Sequence, residues 1–153
     1  MPVRIVESLD ALKELTGTEI AATGWFEVTQ DRISQFAEAT EDRQWIHLNS
    51  ARAQRESPYA GTIAHGFLTL SLLSHLLHEA FEIRNVAMAV NYGLNRVRFP
   101  AAVRAGSSIR GRFTLDSVTD VSNAKQVVLS VVVEDKTQEK PCCVAEWILR
   151  YYT

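Results

Sequence analysis

The chain of 153 residues is predicted to form an α+β fold in which a sheet wraps around one long, buried helix. Three features of the sequence indicate this arrangement. A strand and several short amphipathic helices occupy the first part of the chain. An apolar segment of helical length follows at residues 67–81, with hydrophobic residues on nearly all sides. Four strand-like stretches separated by turn residues make up the remainder.

Two short helices are predicted on either side of a strand that covers Gly24 to Thr29. Ser8 is a suitable N-cap for the first helix and Thr29 for the second, because both side chains can accept a hydrogen bond from the first turn. The apolar residues that recur at helical spacing are Leu9, Leu12 and Leu15, then Ile33, Phe36 and Ala37.

The middle of the chain is predicted to alternate loops and helices. Residues 42–48 form a loop, Asn49 caps another short helix that ends near Pro58, and residues 61–66 form a second loop. The central helix then spans Phe67 to Phe81. Its leucines are Leu68, Leu70, Leu72, Leu73, Leu76 and Leu77.

The second half of the chain is predicted to form four strands. Their ranges are Ala87 to Phe99, Ser108 to Val118, Lys125 to Glu134 and Val144 to Tyr152. The last strand alternates regularly, with Ala145, Trp147, Leu149 and Tyr151 on one face and Glu146 and Arg150 on the other. Without repeats or linkers, residues 1–153 are expected to form a single domain.

Composition and charge restrict the classes of function. The hydrophobic content of 46% suits a globular domain, and no apolar run approaches the roughly 18 residues that a membrane span needs. The first residues lack the apolar core of a signal peptide, which predicts a cytoplasmic protein. A net charge of −2 argues against nucleic-acid binding. The adjacent Cys142 and Cys143 are expected to be reduced and structural, because a bond between them would need a strained ring.

Three residues of the loops suggest catalysis. Asp42 and His47 are five positions apart, and a carboxylate and an imidazole so placed can handle the protons of a water molecule. Gly66 opens the apolar helix, where a backbone N–H can stabilise a developing oxyanion. Together they suggest addition or removal of water next to an activated carbonyl. The structural alternative is that Asp42 caps a turn and His47 is a loop histidine with satisfied hydrogen bonds.

The region from Ile83 to Leu115 contains no Asp, Glu or Lys but has six arginines. Arginine forks suit phosphate oxygens, so this region could contact a nucleotide-bearing coenzyme. The alternative is a solvated face whose arginines pair with acids from elsewhere. The histidines of the central helix, His75 and His78, are expected to be structural, and no metal site is predicted.

Five segments resemble the MaoC-like, (R)-specific enoyl-CoA hydratase family, and within it the nodulation-protein-N-like branch. The resemblance covers roughly residues 24–111, and the order of elements agrees to the C-terminus. Gln44 and Trp45 stand where the broad family pattern has Asn and Pro, while the acid, the histidine and their spacing are intact. The segments are Phe36 to Asp42 (FAEATED), Trp45 to His47 (WIH), Ser57-Pro58, Ile63 to Gly66 (IAHG) and Asn91 to Pro100 (NYGLNRVRFP).

The resemblance implies a hot-dog fold, with an antiparallel sheet around the central helix, and a lyase of fatty acid metabolism. Asp42 and His47 would activate the water that adds to a trans-2-enoyl-CoA, and the Gly66 N–H would bind the thioester oxygen. His65, which precedes the helix, and Ser74 would have supporting roles.

The resemblance also implies partners. Asn91 and Tyr92 are expected on a strand under the acyl tunnel, where they would contact the substrate, and the alternative is simple packing. In the arginine-rich region, Arg96 and Arg98 are the expected substrate contacts because they lie two positions apart and would share one face of a strand. Two copies would join edge to edge as a homodimer, and no cofactor is needed beyond the coenzyme A that the substrate carries. Two rival functions remain: an acyl-CoA thioesterase of the same fold, and a non-catalytic acyl-CoA-binding module.

Overall fold

The computed structural model describes residues 2–153. Its first half contains short strands and helices, and its second half contains four long strands. In chain order the elements are β1 (Arg4–Val6), α1 (Leu9–Lys13), β2 (Glu19–Ala22), β3 (Phe26–Glu27), α2 (Gln30–Thr40), α3 (Trp45–Leu48), α4 (Ser50–Glu56), α5 (Gly66–Ser71), α6 (Leu73–Ala80), β4 (Phe81–Ile83), β5 (Met88–Arg98), β6 (Ser108–Val121), β7 (Ala124–Asp135) and β8 (Cys143–Tyr152).

The three predicted N-caps are confirmed. Ser8 Oγ accepts a hydrogen bond from the Ala11 N–H at 3.1 Å, at the start of α1. Thr29 Oγ1 accepts from the N–H of Arg32 at 3.2 Å, and Asn49 Oδ1 accepts from that of Arg52 at 2.9 Å. Each cap satisfies a backbone donor that has no partner within its helix, which explains why α1, α2 and α4 begin where they do.

The predicted central helix is present as α5 and α6. Leu72, between them, keeps helical backbone angles (φ −72°, ψ −11°). Hydrogen bonds from Leu72 N to Leu68 O (3.0 Å) and from Leu76 N to Leu72 O (2.9 Å) carry the helical pattern through the junction. The helix ends at Ala80, and Phe81 already belongs to β4. The leucines at 68, 72, 73, 76 and 77 are buried, as the all-round apolar pattern predicts.

A six-stranded antiparallel sheet packs around this helix. Its order is β2-β6-β7-β8-β5, with β3 pairing to the same strand, β6, that pairs with β2. The strands β1 and β4 form a separate parallel pair. In β8 the four residues predicted to share one face are buried, whereas Glu146 and Arg150 are half-buried. The α+β prediction is therefore confirmed, with the core between the helix and the inner face of the sheet.

Three local predictions differ from the structure. Residues 45–48, predicted as loop, form the helical turn α3. The strand expected at 24–29 is reduced to β3, Phe26–Glu27. The strands β1, β2 and β4 were not predicted, because they have three or four residues each and owe their conformation to pairing with distant segments.

Both cysteines are free and buried. Burial raises the pKa of the Cys142 thiol to about 12 and that of Cys143 to about 11. Both thiols therefore stay protonated at neutral pH and behave as small apolar side chains. Among residues 2–153, none of the helices has the length and apolar character that crossing a membrane requires.

Candidate active site

The turn after α2 positions Asp42. Glu41, the C-cap of this helix, adopts a left-handed conformation (φ 63°) that reverses the chain. Arg43 stabilises the turn through ion pairs with Glu38, at 2.9 Å, and with Glu41. The Asp42 side chain is exposed, and its Oδ1 lies 3.5 Å from the Gln44 backbone nitrogen. These contacts bring the carboxylate to the mouth of the site.

His47 lies in α3 and is 6% exposed. Its Nδ1 is 2.7 Å from the carbonyl oxygen of Ile63. Because a carbonyl can only accept a hydrogen bond, Nδ1 carries the proton, and in the neutral ring Nε2 keeps its lone pair. Gln30 fixes the backbone, since its Nε2 donates to the His47 carbonyl at 2.8 Å and its Oε1 accepts from Thr62 Oγ1 at 2.5 Å.

His65 connects the two predicted catalytic residues. It is 3% exposed, and its Nε2 donates to the main-chain carbonyl of Asp42 at 2.9 Å. Its ring stacks on that of His47, with centroids 3.7 Å apart and an interplanar angle of 22°. The ring of Phe36 also packs against it, with centroids 4.9 Å apart. Within the described residues the buried Nδ1 of His65 has no hydrogen-bond partner. The ring therefore positions the Asp42 backbone and the His47 imidazole relative to each other.

A carboxylate oxygen of Asp42 and one ring nitrogen each of His47 and His65 lie within 4.8 Å of one another. This distance allows proton exchange through a single water molecule. The arrangement suits a metal ion poorly, because nitrogen lone pairs lie in the planes of their rings. Two nearly parallel stacked imidazoles do not direct those lone pairs to a common point.

The surroundings of His47 favour its neutral form. Burial is the main cause that lowers the pKa of His47, and the neighbouring His65 acts in the same direction. The hydrogen bond to Ile63 and the charge of Asp42 oppose this shift without cancelling it. A histidine that is neutral at physiological pH, with its lone pair on Nε2, can act as a general base.

Gly66 is the first residue of α5, so its N–H has no partner within the helix. A Cβ at this position would lie 2.9 Å from Cδ2 and 3.0 Å from Cγ of the Phe99 ring. Gly66 is not among the glycines with positive φ, so the requirement for glycine comes from this close approach and not from backbone conformation.

The cleft around these residues has two chambers. One chamber, with a volume of about 430 Å³, contains Asp42 and is lined by Phe36, Thr40, Asp42, His47, His65, Gly66, Phe67 and Phe99. The other chamber, of about 330 Å³, is lined by His47, Tyr59, Ile63, Ala64, Gly66, Thr69, Phe99, Pro100, Ala101, Ala102, Val103 and Cys142. His47, Gly66 and Phe99 belong to both.

Ser74, Asn91 and Tyr92 lie together elsewhere. They line a third cavity of about 240 Å³ between the central helix and β5, and none of them lines the two chambers of the cleft. The Asn91 Oδ1 accepts a hydrogen bond from Trp147 Nε1 at 3.2 Å, and the Tyr92 ring lies 3.5 Å from the Arg150 guanidinium carbon. Their predicted supporting and substrate-binding roles stay predictions.

The six arginines of residues 83–115 divide into two groups. Arg84, Arg110 and Arg112 form ion pairs with glutamates, as the solvated-face alternative predicts. Within residues 2–153 the other three, which are exposed, form no ion pair with a carboxylate. They are Arg96, Arg98 and Arg104.

Three residues of the site were missed in the sequence. Gln30 and Thr62 hold the backbone of α3, and Phe99 forms a wall of the cleft. Gln30 directly follows the Thr29 cap and reads as an ordinary first-turn residue. Phe99 lies within the NYGLNRVRFP segment, and this position in the resemblance was the one available signal for it.

The antiparallel sheet around a central helix, with the site at the N-terminus of that helix, defines a hot-dog protein. The family model described as MaoC like domain matches residues 12–137. The chain therefore belongs to the MaoC-like dehydratase family.

Similar proteins include two curated relatives and a solved structure. The chain is 43% identical over 150 residues to 3-hydroxyacyl-thioester dehydratase Z of Mycobacterium tuberculosis, covering 97% of this chain and 99% of the relative. It is 44% identical over 144 residues to nodulation protein N of Rhizobium leguminosarum bv. viciae, covering 92% and 89%. The unliganded R-hydratase PhaJ1 from Pseudomonas aeruginosa shares the fold, with a TM-score of 0.70 and 20% identity, covering 90% of this chain and 81% of that one.

Proposed function

We propose that the protein catalyses the reversible addition of water to trans-2-enoyl-CoA, giving (R)-3-hydroxyacyl-CoA. The observation that carries this proposal is the cluster of Asp42, His47 and the free helix N-terminus at Gly66 around one cleft. Membership of the MaoC-like family and the similarity to a named 3-hydroxyacyl-thioester dehydratase support the same reaction class.

The proposed mechanism divides the work between the pair and the helix. In hydration, the oxygen of water bonds to C3 of the enoyl group, and a proton is added at C2. Asp42 and His47 together take a proton from the water and deliver one to C2, and such proton transfers contribute about 10²–10⁴-fold. The Gly66 N–H stabilises the negative charge on the thioester oxygen, worth about 3–4 kcal/mol for one donor. Dehydration follows the same steps in reverse.

The unpaired arginines suit the phosphates of coenzyme A. Arg96 and Arg98 share one face at the end of β5, and Phe99, the next residue, already lines the cleft. A thioester held at Gly66 could therefore extend its phosphate-bearing end toward these guanidinium groups. Under this proposal the reaction needs no cofactor other than the coenzyme A of the substrate.

Strand β5 supports a homodimer. It pairs with β8 on one side, and among the described residues no strand pairs with its other edge. Apolar side chains that a monomer would normally bury are exposed along it, including Met88, Val90, Tyr92 and Leu94. A lysine at Val90 should therefore shift sedimentation of the protein from dimer to monomer. A wild-type protein that sediments as a monomer at every concentration would exclude the dimer.

The decisive experiment supplies crotonyl-CoA and longer trans-2-enoyl-CoAs and follows loss of the conjugated double bond. Chiral analysis of the 3-hydroxyacyl product should show the R enantiomer. Release of free thiol without hydration would instead identify a thioesterase, in which water attacks the thioester carbon. Binding of acyl-CoA without either reaction would identify a non-catalytic binding module.

A further inference from the structure

A cavity of about 540 Å³, the Arg104 cavity, lies apart from the cleft. Residues 60–62 and 104–107 form most of its lining. Their chain neighbours Tyr59, Ile63 and Val103 line the cleft, whereas none of the residues that line the Arg104 cavity lines either chamber of the cleft. The Arg104 cavity is therefore a separate candidate site.

The lining of this cavity includes one charged side chain, the exposed guanidinium of Arg104. Its Nη2 donates to the Ala60 carbonyl at 3.1 Å and lies 4.0 Å from where a Cβ of Gly61 would be, so the group rests against the cavity wall. Within residues 2–153 the guanidinium forms no ion pair, and none of the lining residues is a carboxylate. Its other N–H donors are therefore available to an anion.

Neutral hydrogen-bonding groups surround this cation. Ser107 is only 7% exposed, and its hydroxyl bonds to no other residue of the described chain. Gln30 adds a side-chain amide and Ser50 adds a second hydroxyl. A buried hydroxyl without a partner is costly, and a ligand with acceptor oxygens would satisfy it.

A buried carboxylate near the cavity has partners of its own. Asp135 Oδ1 accepts from the N–H and from Oγ1 of Thr137, a cavity residue, at 2.9 and 2.8 Å. Its Oδ2 accepts from Gln138 Nε2 at 3.2 Å. Neutral donors thus stabilise the charge of Asp135 without Arg104, whose guanidinium stays available to a ligand.

Backbone hydrogen bonds hold Arg104 and Ser107 on one turn. The N–H of Ser107 donates to the carbonyl of Arg104 at 3.0 Å, and the N–H of Gly106 donates to that of Val28 at 2.8 Å. Gly106 has a φ of 86°, a conformation that glycine adopts without strain. Because the turn is held by the chain itself, little ordering of its backbone is needed when a ligand binds.

We propose that the Arg104 cavity binds a phosphate group through the guanidinium of Arg104 and the hydroxyl of Ser107. A phosphate has several acceptor oxygens, which a guanidinium fork and a neutral hydroxyl can bond together. A metal cation is disfavoured, since the lining provides a positive charge and no carboxylate. The inference goes beyond the proposed function, because this cavity shares no residue with the cleft. The phosphate group has two possible sources, inorganic phosphate and coenzyme A.

Calorimetric titrations of the full chain at constant ionic strength test the site. The ligands are inorganic phosphate, coenzyme A and pantetheine, which carries no phosphate. Arg104→Gln should lower the affinity for the phosphate-bearing ligand by about tenfold or more, because it removes a charge-assisted contact. Ser107→Ala should lower it by a smaller factor, since it removes one hydrogen bond. Circular dichroism establishes that each variant is folded.

Arg4→Gln is the matched control. Arg4 is also exposed and also donates to one backbone carbonyl, that of Glu19 at 3.3 Å, but it does not line the cavity. The variant removes the same charge and should leave the phosphate affinity unchanged. An equal loss in Arg4→Gln and Arg104→Gln would reflect net charge alone and would overturn the assignment.

The three ligands identify the source of the phosphate group. A loss in Arg104→Gln for inorganic phosphate alone would assign the site to free phosphate. A loss for coenzyme A but not for pantetheine would assign it to a phosphate of the coenzyme, and losses for both phosphate-bearing ligands would show that the site accepts either.

Three results would overturn the proposal. They are unchanged affinity for all ligands in a folded Arg104→Gln protein, an equal loss for pantetheine and coenzyme A, and no binding of either phosphate-bearing ligand to the wild type. None of these measurements depends on hydration of an enoyl thioester, so failure of this inference is distinguishable from failure of the proposed function.

Discussion

The residues around His47 are joined by hydrogen bonds, whereas the residues of strand β5 are largely exposed to solvent. In the cleft, Gln30, Ile63 and His65 each provide a hydrogen bond that fixes the backbone or ring of a predicted catalytic residue. Along β5, every residue except Gly93 and Val97 is exposed, and within residues 2–153 one backbone edge has no neighbouring strand. Hydrogen bonds within this chain hold the cleft residues in place, while β5 has the character of an interaction surface.

This difference explains why the roles of the cleft residues can be inferred more readily than the roles of the β5 residues. The cleft depends on contacts that the fold itself makes, so its geometry can be read from one chain. The residues assigned to ligand binding on β5, among them Arg96, Arg98, Asn91 and Tyr92, have few contacts that define their role.

The largest effect is expected at the predicted catalytic pair. Asp42→Asn and His47→Ala should each lower the turnover of enoyl-CoA hydration by about 10²-fold or more, because each removes proton-handling capacity. The double variant should lose far less than the product of the two single losses, since residues that act as a unit are not additive. Steady-state kinetics on folded variants provide the measurement. Near-normal hydration by either single variant would remove that residue from the mechanism.

The second effect concerns Gly66, where two explanations for a glycine must be separated. Gly66→Val should abolish hydration, and Gly66→Ala should cost about 1–3 kcal/mol of unfolding free energy by overpacking against Phe99. Adding Phe99→Ala should restore most of the stability of Gly66→Ala, because the ring that meets the new Cβ is gone. Gly24→Ala is the control, since a Cβ there meets nothing within 4 Å.

Activity in the double variant distinguishes the explanations. If Cβ also obstructs the approach of the thioester oxygen to the Gly66 N–H, hydration should stay low although stability returns. Recovery of both stability and turnover would show that the glycine serves the Phe99 contact alone. Urea unfolding and initial rates decide between the two outcomes. They are measured on the wild type, Gly66→Ala, the double variant and Gly24→Ala.

The third effect concerns the exposed arginines. Arg96→Gln and Arg98→Gln should raise KM by about tenfold with little change in kcat, as expected for loss of a charge-assisted contact to a phosphate. The difference should shrink at high salt because exposed charges are screened. Arg84→Gln is the control, as Arg84 belongs to the same region but pairs with Glu7 at 2.9 Å. An equal rise in KM for a pantetheine-truncated substrate would contradict phosphate binding.

Local signals predicted much of the fold. Ser8, Thr29 and Asn49 indicate where helices begin, because an N-cap side chain bonds to a backbone N–H only three residues along the chain. Strand β1 could not be predicted in this way, because its three residues are held by pairing with β4, far along the chain. The turn α3 was missed for a similar reason: Gln44 provides no side-chain cap, and tertiary hydrogen bonds from Gln30 and Ile63 stabilise it instead.

The candidate site shows the same limit. The spacing of Asp42 and His47 indicated a pair, and the structure brings their side chains together with that of His65. The stacking of His65 on His47 and the wall formed by Phe99 depend on distances between segments that are far apart in sequence. No local sequence pattern encodes such distances, so the stacking of His65 and the position of Phe99 could be identified only from the structure.

The smallest effect is a shift in pH dependence, and it tests the internal organisation of the cleft most directly. The pKa of His47 is lowered chiefly by burial and secondarily by His65, so the acidic limb of kcat/KM should lie below about 6.5, the ordinary value for histidine. The sign for stability follows from the same shift. Below the pKa of the unfolded chain, the unfolded state binds a proton that the folded state resists, so unfolding free energy should fall as pH drops through this range.

His65→Phe sharpens this test, because it keeps a ring against His47 but removes the ionisable group and the donor to Asp42. The acidic limb should move upward toward about 6.5, and maximal turnover should fall as the Asp42 backbone loses its hydrogen bond. His75→Phe is the matched control, since His75 is exposed on α6 and packs on Phe26 instead. If both variants leave the acidic limb where it is, His65 does not act on the titration of His47. Its role is then confined to packing and to the hydrogen bond with the Asp42 carbonyl, and the low pKa of His47 must come from burial alone.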